Sequence, residues 1–167
     1  MAIIFIGLGS NEGDRMCILR DALLELKKNL GIQLNCSSIY ETPPLGFESD
    51  QPFLNAVVKF ETTHLPHEVL NILHYIESKA GRNRLKSERY HDRTLDLDLL
   101  YYDDILLHTE QITIPHPRIA DRKFVLVPMS EIDPAWMDAS KGKRISELLS
   151  STPDPSVITK FQESFEA

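Results

Sequence analysis

The sequence predicts an α+β fold whose core runs β-α-β-β-α-β along the chain. Two segments carry apolar residues at helical spacing and each ends near a glycine, Gly31 or Gly81, as helices commonly do. Four strand-like segments precede, separate and follow them, and the fourth ends near residue 102. This order is typical of a ferredoxin-like split βαβ core. We expect the later strands and helices to extend or cover its sheet, giving a three-layer α/β/α arrangement.

The first half of the core begins with a nearly continuous apolar run, residues 2–8, which predicts a buried strand. A glycine-containing turn leads into a helix predicted over residues 14–30. Residues 32–41 predict a second strand, and the prolines and glycine of residues 42–47 predict a rigid loop. Phe53–Thr62 predicts a third strand, with four alternating residues on its core side: Leu54, Ala56, Val58 and Phe60.

The second half of the core begins with a helix predicted over residues 66–80, opened by Pro66. A basic loop and a fourth strand, residues 95–102, follow it. Beyond the core, residues 105–107 and 112–114 predict short strands, and residues 125–132 and 145–149 predict short helices. Apolar residues at helical spacing in residues 157–165 predict a small packed helix at the end of the sequence.

Composition limits the classes of function. A chain of 167 residues with 42% hydrophobic residues fits a single globular domain over 1–167. Its net charge of −7 argues against nucleic acid as the main partner. No apolar run reaches the roughly 20 residues that span a bilayer, and the N-terminal residues lack a basic leader. We therefore expect a cytoplasmic protein without membrane or nucleic-acid partners. We also expect it to be a monomer.

A pair of acids lies in the fourth predicted strand. Asp96 and Asp98 alternate with leucines, so both carboxylates face one side of the strand, with Cα atoms roughly 6–7 Å apart. Two carboxylates suit Mg²⁺, which prefers few protein ligands together with water and phosphate oxygens. A calcium site and a solvated strand face are the alternatives.

A run of basic residues immediately precedes these acids: Arg82, Arg84, Lys86, Arg89 and Arg93. Arginine is suited to bidentate recognition of phosphate. A solvated charged loop is the alternative, but the position beside the paired acids favours phosphate. Together, the two groups indicate a nucleoside triphosphate with Mg²⁺.

The third predicted strand brings a ring and an amide together on its second face. Phe53 can stack on a flat heterocycle, and Asn55 offers a donor and an acceptor to its edge. Ordinary packing at a sheet edge explains these two residues slightly better from spacing alone. The turn Gly7-Leu-Gly-Ser-Asn11 lacks the phosphate-binding spacings of a P-loop or a dinucleotide site, so a tight capped turn is the better interpretation.

Several short motifs, in order along nearly the whole chain, resemble the 6-hydroxymethyl-7,8-dihydropterin pyrophosphokinase family of folate biosynthesis. The strongest is Arg-Thr-Leu-Asp-Leu-Asp-Leu-Leu at residues 93–100. The others are Gly7-Leu-Gly-Ser-Asn11-x-Gly-Asp-Arg15, Tyr40-Glu-Thr-Pro-Pro-Leu-Gly46, Gln51-Pro-Phe-Leu-Asn55, Gly81-Arg-x-Arg84, Ile114-Pro-His116 and Arg122-x-Phe124. One departure precedes the signature, where Tyr90-His91-Asp92 replaces the family's usual Trp-Gly-Pro.

The resemblance implies transfer of a pyrophosphoryl group from ATP to the hydroxymethyl oxygen of the pterin, with release of AMP. It implies catalytic roles for Arg82, Arg93, Asp96 and Asp98, with the two acids holding two Mg²⁺ ions. It places Glu77, Arg84, Thr113, His116 and Arg122 at the ATP site. It places Thr42, Pro43, Leu45, Phe53, Asn55 and Phe124 around the pterin, with the two aromatic rings on either side of it.

Two other functions stay open as hypotheses. A non-catalytic nucleotide- or pterin-binding module would bind its ligand without turnover. A metal-dependent phosphohydrolase would cleave ATP without the pterin.

Overall fold

A computed structural model describes residues 1–42, 51–81 and 94–165. Its strands are β1 (Ala2–Ser10), β2 (Ile32–Cys36), β3 (Tyr40–Thr42), β4 (Phe53–Thr62), β5 (Asp96–Tyr102), β6 (Leu107–His108), β7 (Thr113–Ile114), β8 (Met137–Asp138), β9 (Lys143–Arg144) and β10 (Thr159–Lys160). Its helices are α1 (Arg15–Asn29), α2 (Pro66–Lys79), α3 (Lys123–Ile132) and α4 (Ile145–Ser151), with a 3-10 turn at Ile119–Asp121.

The strands of the main sheet are antiparallel. In the described part of the chain their order is β10-β3-β4-β1-β5, and β2 also pairs with β4. β1 lies between β4 and β5, and the residues from Ile4 to Gly9 have a partner on both sides. Gly9 is opposite Asn55 on β4 and Asp96 on β5, and this register fixes the spacing of the two side chains.

One face of the sheet packs against α1 and α2. The alternating residues of β1, Ile4, Ile6 and Leu8, are buried there among the apolar stripes of both helices. The four residues predicted for the core side of β4 belong to the same cluster, as do Leu95, Leu97 and Leu99, which confirms the strand-like alternation in both segments.

The opposite face is covered by α3 and α4 over part of its length. Phe5, Val57 and Leu100 contact these helices in a second buried cluster. Trp136, to which the sequence assigned no role, packs edge-on against Phe5 with ring centroids 4.8 Å apart. Farther along this face, towards Gly7 and Gly9, lies a cavity.

The second predicted strand is interrupted. Residues 32–41 form two short strands, β2 and β3, that both pair with β4. Ser37 stands between them, donating its N–H to the Val57 carbonyl at 2.9 Å and accepting the Val57 N–H on its hydroxyl at the same distance. A side-chain oxygen thus replaces a backbone acceptor, which breaks the regular ladder.

The predicted helix over residues 157–165 is wrong. Thr159–Lys160 is instead strand β10, paired with β3, and Phe161 donates its N–H to the Ile39 carbonyl at 2.7 Å. Pro153 and Pro155 favour extended backbone before it, and the free edge of β3 supplies hydrogen-bond partners. Phe161 and Phe165 still pack against the main core, so the apolar spacing correctly marked contacts but not the conformation.

The remaining elements lie near their predicted positions. The fourth strand and the helices of residues 66–80 and 125–132 are confirmed within a few residues. Pro128 is buried inside α3. The β6–β7 and β8–β9 pairs are short hairpins, and the second of them was not predicted. Among the described residues, every helix is too short or too polar to cross a bilayer.

A buried tyrosine–carboxylate hydrogen bond ties the sheet to the β8–β9 hairpin. Tyr101 donates from its hydroxyl to Asp138 Oδ2 at 2.6 Å, and both side chains are buried. The other carboxylate oxygen accepts from the Ser140 N–H and hydroxyl and from the Lys141 N–H. Burial and this bond raise the pKa of Tyr101 well above its usual range.

We predict that Tyr101→Phe lowers the free energy of unfolding by about 1.5–3 kcal/mol, because a bond to a charged acceptor is lost inside the core. Tyr102→Phe is the control, since Tyr102 donates to the His64 carbonyl at a half-exposed site. We expect its loss to be about 1 kcal/mol. Urea unfolding measures both values, and equal losses would contradict the role given to Asp138.

Candidate active site

A cavity of about 620 Å³ opens on the partly covered face of the sheet. The ends of β1, β4 and β5 form its floor, and residues from α2, the β6–β7 hairpin and the start of α3 form its sides. The predicted site residues that line it are Thr42, Phe53, Asn55, Asp96, Asp98, Thr113, His116, Arg122 and Phe124. Residues far apart in the sequence are therefore brought to one concave site.

Two glycines of the central strand make room for this cavity. Gly7 is opposite Val57 and Asp98, and Gly9 is opposite Asn55 and Asp96. A Cβ added to Gly9 would lie 2.8 Å from Asn55 Oδ1, closer than carbon and oxygen normally approach. The absence of a side chain at Gly9 thus allows the Asn55 amide to lie against the backbone of β1.

The paired acids have the arrangement that the alternation predicts. Asp96 and Asp98 both line the cavity, and Leu97 between them, which also borders it, is buried in the core cluster formed with α1 and α2. The Leu97 N–H is directed away from β1 and donates to Glu77 Oε2 at 2.9 Å. Glu77 is buried and does not line the cavity, so the geometry makes it a support of β5 rather than a cavity-wall residue.

His116 lies beside the acids. Its backbone N–H donates to the Leu100 carbonyl at 3.0 Å, which anchors the segment after β7 to β5. Its Nδ1 accepts the Arg118 N–H at 3.3 Å, and its Nε2 is 3.9 Å from Asp98 Oδ1. Nδ1 is thus occupied as an acceptor, and in the neutral ring Nε2 carries the proton.

Burial lowers the pKa of His116 to about 4, and the nearby charges of Arg122 and Arg118 act in the same direction. Asp96 opposes them by favouring the protonated ring. His116 is therefore neutral near pH 7 and presents a hydrogen-bond donor, Nε2–H, near the acids.

Positive charge lies on the side of the cavity formed by the start of α3. Arg118 and Arg122 both line the cavity. The Arg122 guanidinium stacks over the Phe124 ring, 5.5 Å from its centroid. Stacking fixes the plane of a guanidinium while leaving its N–H groups available to an anion.

A polar pair and a ring lie at another part of the wall. Asn55 Nδ2 donates to Thr42 Oγ1 at 3.0 Å, and both residues are buried. Phe53, directly opposite Thr42 in the β3–β4 pair, lines the same wall. A flat apolar surface and a fixed amide thus share one cavity with the acids.

The donor set suits magnesium. Within the described ranges there is no group of three or more His, Cys, Asp and Glu side chains placed to hold a metal. Two carboxylates side by side fit Mg²⁺, which completes its shell with water and phosphate oxygens.

Five of the residues implied by the resemblance lie outside the described residues: Arg82, Arg84, Arg93, Pro43 and Leu45. Residues 90–92, which depart from the family pattern, lie outside them as well. The roles of these residues stay predictions.

Other residues line the cavity although the sequence did not single them out as site residues: Gly7, Gly9, Leu70, His74, Gln111 and Arg118. The two glycines had a signal in the sequence, the Gly-x-Gly at the end of the first strand. The sequence predicts a turn at this position, whereas both glycines belong to β1. Leu70 and His74 lie on the side of α2 next to its apolar stripe. Helical spacing places them on that side, but that this side borders a cavity becomes evident only once the neighbouring strand is known.

Comparison with known proteins agrees with the resemblance. The profile of the 7,8-dihydro-6-hydroxymethylpterin-pyrophosphokinase (HPPK) family matches residues 5–134. The chain belongs to this family. It is similar to the 2-amino-4-hydroxy-6-hydroxymethyldihydropteridine pyrophosphokinase of Bacillus subtilis, with 43% identity over 131 residues, 78% of this chain and 77% of the relative. The Porphyromonas gingivalis pyrophosphokinase is 40% identical over 139 residues, 82% of this chain and 94% of that protein.

Longer proteins carry the same HPPK-like segment. The folate synthesis bifunctional protein of Arabidopsis thaliana is 41% identical over 130 residues, which are 77% of this chain and 26% of that protein. Among solved structures, wild-type HPPK-DHPS of Plasmodium falciparum superposes with a TM-score of 0.73 and 17% identity, over 89% of this chain and 44% of that one. At this identity, the superposition shows a shared fold.

We predict that the His116 ring titrates with a pKa of about 4. Since the ordinary value is 6.5, the unfolded chain binds a proton between these two pH values that the folded chain does not. The stability associated with neutral His116 is therefore complete above pH 6.5 and decreases as the pH falls towards 4. An NMR titration of the ring measures the pKa directly.

Arg122→Gln provides the comparison. Removing this charge should raise the pKa of His116, but burial is the larger cause and should keep it below 6.5. A ring that titrates at 6.5 in the unmodified protein would contradict the buried, neutral assignment.

Proposed function

We propose that this chain transfers a pyrophosphoryl group from ATP to 6-hydroxymethyl-7,8-dihydropterin, releasing AMP, as a step of folate biosynthesis. Membership of the HPPK family supports this reaction. The observation that carries the proposal for this molecule is one cavity that joins the paired acids of β5 to the ring and amide of β4. A phosphate-binding part and a heterocycle-binding part are both needed when two substrates react with each other.

Asp96 and Asp98 are the residues that would hold Mg²⁺, two ions in our proposal, and their fit to this metal supports it. When bound, Mg²⁺ would neutralise charge on the polyphosphate and polarise the phosphoryl group that is transferred. The hydroxymethyl oxygen of the pterin attacks the β-phosphorus, the bond from that phosphorus to the α-phosphate bridging oxygen breaks, and AMP leaves. The hydroxyl proton is released in the same reaction.

The other residues bind and orient. Phe53 and Phe124 would contact the faces of the pterin, and Asn55, held by Thr42, would contact its polar edge. Arg122 and the Nε2–H of His116 would donate to phosphate oxygens, and Thr113 would lie beside ATP. His116 is poorly suited to act as a base in this orientation, because Nδ1 is engaged and its pKa lies far below 7. We further propose Arg82, Arg84 and Arg93 as phosphate-binding residues, on the resemblance alone, and Pro43 and Leu45 beside the pterin.

Glu77 was predicted at the ATP site from the resemblance, and that role stays a prediction. Its bond to the Leu97 N–H supports an indirect contribution through the position of β5.

We also propose the core topology, the layer arrangement, the domain organisation, the oligomeric state and the location of the protein. The strand order β3-β4-β1-β5, with α1 and α2 on one face, supports a ferredoxin-like core. The helices on both faces support the three-layer arrangement. A single domain over 1–167, a monomeric state and a cytoplasmic location are expectations from composition and family.

The function is tested by mixing the protein with ATP, Mg²⁺ and the hydroxymethyl-dihydropterin and identifying the nucleotide product. We expect AMP, formed only when the pterin and Mg²⁺ are present, and its loss in Asp98→Asn with the thermal unfolding temperature preserved. Ligand binding without turnover would indicate a binding module, and pterin-independent ATP cleavage would indicate a phosphohydrolase. ADP as the product would refute the transfer of a pyrophosphoryl group.

We predict that Gly9→Ala weakens pterin binding about tenfold or more, because the new Cβ displaces the Asn55 amide from its place against β1. Gly7→Ala is the matched control, since the atoms nearest to a Cβ there belong to Leu100 and lie at an ordinary 3.6 Å or more. The affinity for a pterin ligand, measured by its fluorescence, is compared in the two variants. Equal affinities would contradict the role of the close approach at Gly9.

A further inference from the structure

Arg15, the first residue of α1, is a junction between segments that are distant in the sequence. Its Nη1 donates to the Pro52 carbonyl at 2.7 Å and lies 3.4 Å from Glu41 Oε2. Its side chain is only 17% exposed, so these contacts are partly shielded from water. Glu41 belongs to β3 and Pro52 immediately precedes β4, so one guanidinium joins the ends of two neighbouring strands.

Gln51 connects the same guanidinium to the turn that precedes α1. With its amide oriented to satisfy both neighbours, Gln51 accepts from Arg15 Nε and donates to the Asn11 carbonyl, each at 3.0 Å. The turn between β1 and α1 and the approach to β4 are thus joined by paired side-chain bonds. These contacts connect two of the family-like motifs: residues 7–15, to which the proposed reaction assigns no direct role, and residues 51–55, which carry Phe53 and Asn55.

The carboxyl-terminal segment covers one side of the Arg15 contacts. The Arg15 guanidinium lies 5.7 Å from the centroid of the Phe161 ring, just after β10. β10 itself pairs with Glu41 and Tyr40 of β3. The ring and the paired strand exclude water from one side of Arg15, which strengthens its polar contacts.

The strand ends that Arg15 joins carry the heterocycle-binding part of the cavity. Glu41 is adjacent to Thr42, which holds Asn55, and Pro52 is adjacent to Phe53. The Arg15 side chain does not line the cavity. Any effect of Arg15 on a bound ligand therefore acts through Thr42 and Phe53.

We propose that Arg15 is a positioning residue for the pterin acceptor. It holds the end of β3, which carries Thr42, against the start of β4, which carries Phe53, and thereby aligns the ring and the Thr42–Asn55 pair with the pterin. The ATP part of the cavity, formed by β5 and the start of α3, has no contact with Arg15 among those described. This inference rests on the proposed function for the identity of the acceptor, but its geometry is independent of turnover.

Arg20 offers a matched control on the same helix. It donates to the Ser164 carbonyl at 3.2 Å and lies 3.5 Å from Glu163 Oε2, so it also binds the carboxyl-terminal segment. Its partners among the described residues lie in that segment, away from the ends of β3 and β4. Arg15 and Arg20 therefore differ in their contacts with the strand ends and share the attachment of the tail.

The test compares Arg15→Met, Arg15→Lys and Arg20→Met with the unmodified protein. Equilibrium binding of 6-hydroxymethylpterin is followed by fluorescence, and KM for the dihydropterin and for ATP is measured from AMP release. We expect Arg15→Met to weaken pterin binding and raise the pterin KM by roughly tenfold, with the ATP KM unchanged within about twofold. Arg15→Lys, which keeps the charge and a donor to the Pro52 carbonyl, should restore part of the affinity, and Arg20→Met should leave it unchanged.

Unaltered pterin binding in Arg15→Met would overturn the inference, as would an equal rise of both KM values or the same effect in Arg20→Met. If Arg15→Met does not fold, Arg15→Lys decides by the same comparison, with an intermediate, pterin-selective loss as the expected result. Pterin binding without AMP formation in the unmodified protein would refute the proposed function, while the binding arm would still test Arg15.

Discussion

The antiparallel register of β1 with its two neighbours is the constraint on which the site depends. It sets Asn55, Gly9 and Asp96 in one row and Val57, Gly7 and Asp98 in the next. Because β1 has glycine in both rows, the strands on either side present side chains across an open floor. A shift of one residue would turn the acids into the apolar core and the leucines into the cavity.

One face of the sheet contributes mainly to stability, and the other face carries the candidate site. α1 and α2 cover one face with a large aliphatic cluster, which makes a continuous core. α3 and α4 cover part of the other face around Phe5 and Trp136, and the cavity occupies the region towards Gly7 and Gly9. The polar residues of the site therefore stand on a sheet that is rigidly packed from behind, a support that precise orientation of two substrates requires.

Much of this arrangement follows from sequence periodicity, and the exceptions have physical causes. The alternation in residues 95–99 predicts that Asp96 and Asp98 share a face, because successive side chains of a strand point to opposite faces of the sheet. The tail could not be assigned in the same way, since residues 157–165 have helical spacing but gain hydrogen bonds from the edge of β3. Local spacing cannot report a partner strand more than a hundred residues away. For the same reason, the need for a glycine at position 9 becomes evident only when the pairing of β1 with β4 places Asn55 opposite it.

The hydrogen bond between Glu77 and the Leu97 N–H has a consequence for association between molecules. In the described sheet, β5 is an outer strand, and an outer strand with free N–H groups invites another chain to add to it. A buried carboxylate occupies the Leu97 donor, so an incoming strand finds this hydrogen-bond donor already taken. The bond that supports the acids from behind thus also protects this edge from intermolecular sheet extension and aggregation.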